Sequence, residues 1–130
     1  MRGYSETEVF SPGEVSAFRR AEAMVHAIPD MEDLRCHEVA RAVASMLGLE
    51  VQDGKYGMVE HSWILLPRTA GRSAILDVYS VGRLPPVQLI HHAGILPHFD
   101  SFKAGDPRDD VRQGTVDRLV ILLQEAGFSD

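Results

Sequence analysis

The chain is poor in cysteine and lysine. One cysteine, Cys36, stands in 130 residues, which excludes an internal disulfide and with it the stapled scaffolds of small secreted proteins. Two lysines, Lys55 and Lys103, accompany eleven arginines, and the formal net charge is −6. An acidic chain without a basic stripe is poorly suited to neutralising a phosphate backbone, so nucleic acid is not an expected partner. No apolar run approaches the ~18 residues that a membrane-spanning helix needs, so no membrane partner is expected either. The opening residues, Met1-Arg2-Gly3-Tyr4-Ser5-Glu6, lack the apolar stretch of a secretory leader. A cytoplasmic setting, where a lone thiol stays reduced, is the expectation. Metal-site spacings are missing as well. There is no Cys-x-x-Cys, and His37-Glu38-Val39-Ala40-Arg41 carries arginine where a metallopeptidase helix needs its second histidine. His91, His92 and His98, with Cys36, His61 or Asp77, are of zinc-binding type, but neither a metal nor a cofactor is expected.

The hydrophobic content of 45% suits one ordinary globular domain. Residues 1–10 read as a loose N-terminal arm and 11–130 as a single domain. Ser11-Pro12-Gly13-Glu14 is a helix start, with Ser11 as N-cap, Pro12 at the first helical position and Glu14 completing a capping box. Val15, Phe18, Ala21, Val25 and Ile28 follow at helical spacing up to Pro29. A second helix begins around Asp33 to Arg35, with an apolar stripe of Val39, Ala40, Val43, Met46 and Leu47 and a stop at Gly48. Cys36 falls near the middle of that stripe and so points toward whatever the helix packs on. The last helix carries Val116, Leu119, Val120, Leu123 and Ala126 and ends at Gly127, with the charge cluster Asp106 to Arg112 as its start.

Between these helices the pattern alternates. Leu49 to Gln52 reads as a short strand closed by an Asp53-Gly54 turn. Met58 to Leu66 and Ser73 to Tyr79 are stronger strands, joined by a loop with Pro67 and Gly71. After a break at Gly82 to Pro86, Val87 to Ile90 is a third short strand, and Pro97 to Pro107 reads as loop. Arg83 is read as a solvated side chain. The order predicts an α+β domain, an antiparallel sheet packed on helices and covered on one face. His61 shares a strand face with Val59, Trp63 and Leu65, and Asp77 with Ile75 and Tyr79. A register in which paired residue numbers sum to 138 sets His61 directly opposite Asp77, at a separation that a side-chain hydrogen bond can bridge.

Cys36, His61 and Asp77 therefore stand out together as catalytic candidates. A thiol in the first turn of a helix has its thiolate favoured by the unpaired amides there. A nearby imidazole takes the thiol proton, and a carboxylate fixes the tautomer of that imidazole. Arg35 and His37 flank the thiol as sources of positive potential. The segment from Cys36 to Tyr79 resembles the core of the transglutaminase-like branch of papain-like cysteine enzymes, with Cys36 at a helix start, His61 in His61-Ser62-Trp63, and Asp77 after Leu76. That resemblance implies acyl-group chemistry through a Cys36 acyl-enzyme, with His61 as base and Asp77 as orienting acid. The implied substrates are a protein, a peptide or a small amide or ester, with hydrolysis or transfer as the outcome. No glutamine or asparagine precedes Cys36 to serve an oxyanion hole. The Cys36 amide is one expected donor, and a backbone amide, Tyr4 or Tyr56 the second. A silent binding or adaptor domain of the same fold is the alternative.

Overall fold

The computed structural model describes residues 10–67, 74–81, 85–91 and 97–129. The arm at 1–9, the Pro67-to-Ser73 connection beyond its first residue, Arg83 and His92 lie outside them. The first helix, α1 (Pro12–Ala27), starts as the sequence dictates. The Ser11 hydroxyl accepts from the Glu14 amide, and the Glu14 carboxylate accepts from the Ser11 amide at 2.8 Å. Phe18, Ala21, Met24 and Val25 bury the inward face of this helix.

A 3-10 turn at Met31–Asp33 then leads to α2 (Cys36–Leu47). The sequence predicts that this helix begins around Asp33 to Arg35; the backbone at Leu34 and Arg35 is extended, so the start falls just after that range. Cys36 is therefore the first helical residue, with Arg35 as N-cap. Gly48, at φ +69°, closes α2 in the left-handed conformation that glycine adopts without steric cost. Val39, Ala40, Ala42, Val43, Ala44 and Met46 are all buried, so the helix is apolar on nearly every side.

Five strands form one antiparallel sheet in the order β4-β3-β2-β1-β5. They are β1 (Glu50–Tyr56), β2 (Val59–Leu66), β3 (Ala74–Asp77), β4 (Gln88–Ile90) and β5 (Phe102–Ala104). The predicted Asp53-Gly54 turn is overturned. Strand β1 runs straight through those residues, and the reversal comes at Gly57-Met58 with Gly57 at φ +61°. A glycine in first position of a two-residue hairpin loop suits the right-handed twist of the strands.

The loop predicted for Pro97 to Pro107 is likewise overturned in part. A 3-10 turn (Pro97–Ser101) feeds β5, which pairs with β1 as an edge strand. Gly54 is what admits it, because a Cβ there would stand 2.0 Å from the Lys103 carbonyl oxygen and 2.9 Å from the Trp63 ring. The last helix, α3 (Gln113–Glu125), begins after the Asp106–Arg112 cluster rather than within it.

The helices lie on one face of the sheet over the main core, to which Ile64, Leu66, Leu76, Val78 and Leu89 contribute. The opposite face is not bare as predicted. Trp63, Ile75 and Ile90 are buried there with Leu65, Phe99 and Phe102 against them. The observed class is α+β, and among the described residues no helix is long and apolar enough to cross a membrane.

Candidate functional site

Strands β2 and β3 pair through Ile64–Leu76, Leu65–Ile75 and Leu66–Ala74. This register is two residues away from the predicted one, so Asp77 stands diagonal to His61 instead of directly across. An even offset preserves the face on which each side chain emerges. The reach is therefore retained: His61 Nε2 lies 3.0 Å from both Asp77 carboxylate oxygens. Both groups are almost wholly buried, at 1% and 3% side-chain exposure.

The ladder between β2 and β3 ends at Ile64–Leu76. The first half of β2 is thus flanked by β1 on one side, and the first turn of α2 reaches it through a contact from His37 to Ser62. With Nε2 committed to Asp77, Nδ1 is the ring nitrogen of His61 left for the sulfur of Cys36. Burial pulls His61 toward its neutral form, but hydrogen bonds and charge from Asp77 and Cys36 outweigh it and hold the ring up at about 9. Of the three residues singled out in the sequence, His61 and Asp77 are in direct contact, and Cys36 acts on the same ring.

The walls of the site are aromatic. His61 has Trp63 at 6.1 Å, Phe102 at 6.2 Å and Tyr56 at 6.3 Å between ring centroids, and Phe102 in turn packs on Tyr56 and Trp63. Tyr56 is thus the oxyanion-donor candidate that stands beside the base, whereas Tyr4 lies outside the described residues. Tyr79 is pushed up by burial and by the charges of Cys36, Glu32 and Asp33. Its hydroxyl donates to the Met31 carbonyl at 2.8 Å, which ties the turn before α2 to the strand that carries Asp77.

Arg35 and His37 do not supply the free positive potential read from the sequence. Arg35 is spent on Glu38, at 2.5 and 2.9 Å, and on Asp110. His37 is lowered by burial first, then by the nearby Arg108 and Arg35, so its ring is neutral at pH 7.

What the sequence reading did not foresee is the chain of polar groups behind His37. His37 Nδ1 lies 3.5 Å from the Cys36 sulfur and 2.7 Å from Ser62 Oγ. Ser62 donates to Asp53 Oδ1 at 2.5 Å, and Asp53 Oδ2 accepts from Arg41 at 2.6 Å and from the Arg108 amide at 3.0 Å. Asp53 is 5% exposed. Burial opposes its ionisation, but the bonds from Arg41, Ser62 and Arg108 hold its carboxyl below the usual range. The signal was present in the spacing of His37 and Arg41 on one helical face, but reading Asp53 as a turn residue hid its place opposite Ser62.

Of the zinc-type histidines, His91 is buried with the Phe10 ring 6.3 Å away, and the side chains of His92 and His98 lie outside the described residues. Among the described residues, the one group of ligand atoms within 4.8 Å of each other is the exposed trio Asp30, Glu32 and Asp33. No protein-family model, curated protein or solved structure matches the chain.

Proposed function

We propose that the chain is a cysteine-dependent hydrolase or acyl transferase built on a transglutaminase-like core, with Cys36, His61 and Asp77 as its catalytic residues. The observation that carries this reading is His61 bonded through Nε2 to Asp77, with the Cys36 thiol as the second group that raises the ring. An imidazole held at about 9 is protonated at neutral pH, and its natural counter-ion at Cys36 is a thiolate. The pair is then ready before substrate arrives.

The thiolate of Cys36 attacks the carbonyl carbon of an amide or ester, and the carbonyl π electrons move onto oxygen. Cys36 is the first residue of α2, so its amide is among those with no acceptor inside the helix and is available to that oxyanion. When the tetrahedral adduct collapses, His61 gives its proton to the departing amine or alkoxide, and the acyl group remains on sulfur. The neutral His61 next takes a proton from water or from an incoming amine as that nucleophile attacks the thioester. Expulsion of the thiolate restores the ion pair. Asp77 keeps the ring in one tautomer and stabilises its cationic form throughout. Substrates of this reading are a peptide, a protein or a small amide or ester, and a reducing, cytoplasmic compartment keeps the nucleophile available.

The test is the pH dependence of Cys36 alkylation by iodoacetamide, in the native chain and in His61→Ala. The expected result is rapid alkylation already at neutral pH in the native chain and slower alkylation there in the variant. A thiol inert below pH 8 and indifferent to His61→Ala would overturn this reading and leave a silent binding domain of the same fold.

A further inference from the structure

Two buried imidazoles flank the Cys36 sulfur, and the mechanism above uses one of them. His37, 6% exposed, is the other. Its tautomer follows from its neighbours. The single proton of Ser62 goes to the Asp53 carboxylate, which accepts only, so Ser62 Oγ meets His37 Nδ1 at 2.7 Å as an acceptor. The proton of a neutral His37 is therefore fixed on Nδ1. Nδ1 is also the ring nitrogen nearer the sulfur, at 3.5 Å against 4.0 Å for Nε2.

We infer that His37 is a second hydrogen-bond donor to the Cys36 sulfur, its Nδ1–H shared between that sulfur and Ser62 and held there by the Ser62–Asp53–Arg41 chain. A bond to the charged form of an acid favours that form. His37 thus stabilises the thiolate without carrying charge itself. This matters at the two moments when the sulfur is anionic, as free nucleophile and as leaving group, and it adds to the protonated His61 on those occasions. The inference rests on the proposed Cys36 chemistry but concerns a residue outside the triad.

The groups facing the sulfur and His37 are known on each side. Arg35 and Glu38 belong to the same helix, Arg108 and Asp110 to the segment before α3. His61 faces the sulfur from β2, and Tyr79 from beyond β3.

Alkylation of Cys36 by iodoacetamide is followed from pH 5 to 9 in the folded full chain, in His37→Ala, in His37→Asn and in His61→Ala. His37→Leu, apolar and closer in volume, repeats the alanine comparison should the smaller side chain unfold the protein. Both His37→Ala and His37→Leu are expected to slow alkylation roughly three- to tenfold at pH values below the thiol pKa, through an upward shift of the pH profile. His37→Asn, whose amide N–H can replace Nδ1–H, is expected to recover most of that loss. Rates in the non-donor variants equal to the native rate would overturn the inference, as would an equal loss in His37→Asn, which would make the role one of packing alone. A native thiol that responds to His61→Ala and ignores His37 defeats this inference and spares the triad. The reverse pattern, a response to His37 with none to His61, defeats the triad and spares the donor.

Discussion

The two histidines beside Cys36 are an internal comparison. Both are nearly excluded from solvent, and burial pushes both toward the neutral ring. They nevertheless end on opposite sides of neutrality. His61 meets a carboxylate directly, and Asp77 at 3.0 Å, together with Cys36, outweighs desolvation. His37 meets its carboxylate at one remove. Ser62 stands between it and Asp53, and Arg41 already neutralises that acid, while Arg108 and Arg35 add unfavourable charge. One inserted hydroxyl and three arginines convert an imidazolium site into a neutral donor site. Burial sets the common penalty, and the identity of the first partner decides the sign.

The strongest way to break the comparison is to remove the partner that raises His61. In Asp77→Ala the ring stays buried without its carboxylate, and its pKa is expected to fall from about 9 by roughly two units or more, read by NMR titration of the imidazole signals. Loss of one member of a buried pair should cost ~3 kcal/mol of stability at pH 7 by urea unfolding. Alkylation of Cys36 at neutral pH should drop by roughly two orders of magnitude. A His61 that still titrates near 9 in this variant would mean that Asp77 is a bystander.

A second, smaller effect appears in stability against pH. The folded His61 binds its proton more tightly than an unfolded histidine at ~6.5. Its contribution, roughly 3 kcal/mol taken alone, is fully present below pH 6.5 and is lost as pH rises through about 9. His37 has the opposite sign. The fold favours its neutral form, so its contribution is present above pH 6.5 and is lost as pH falls toward its lowered folded value. Glu38 and Asp53, both held low by arginines and backbone amides against the cost of burial, extend the acid loss below their ordinary values of 4.5 and 3.8. Stability should therefore peak near pH 6.5. His61→Gln is expected to flatten the alkaline limb and His37→Gln the upper part of the acid limb. Identical profiles in all three proteins would show that neither ring is coupled to folding.

How much of this was legible in the sequence differs between the two pockets for a physical reason. The His61 pocket depends on strand alternation, which is a property of single residues in order, and the face shared by His61 and Asp77 survived a two-residue error in register. The helix that presents Cys36 was marked by Gly48 and its apolar stripe. The His37 pocket depends on Asp53 lying inside a strand, and Asp53-Gly54 carries the local signature of a turn. Tertiary pairing overrode that signature, because Gly54 is needed for the approach of β5 rather than for a reversal. The same strand was invisible in Pro97 to Pro107, since three residues, Phe102–Ala104, have no period to read. The loop chemistry from Asp106 to Arg112 misled for a related reason. Those charges are not a helix start. Arg108 and Arg112 give their amides to the buried carboxylates of Asp53 and Glu38, a contact between segments more than fifty residues apart.

The smallest effect sharpens the comparison most, because it separates charge from burial at His37. The Arg108 side chain is 19% exposed and pairs with Glu60 and Asp110 at the surface, whereas its backbone amide is what bonds Asp53. Arg108→Ala therefore removes a positive charge near His37 while leaving the polar chain behind the ring intact. After burial, that charge is the largest cause lowering His37. Its removal is expected to raise the His37 pKa, with little change in stability, since partly exposed ion pairs contribute ~0–1 kcal/mol. Raising ionic strength in the native chain should move His37 in the same direction, because salt screens an exposed charge far more than a buried bond. His61, whose partners are shielded from solvent, should not follow in either experiment. If both imidazoles shifted together, the opposite states of the two rings would have to come from a field common to the whole site, and the first-partner explanation would fail.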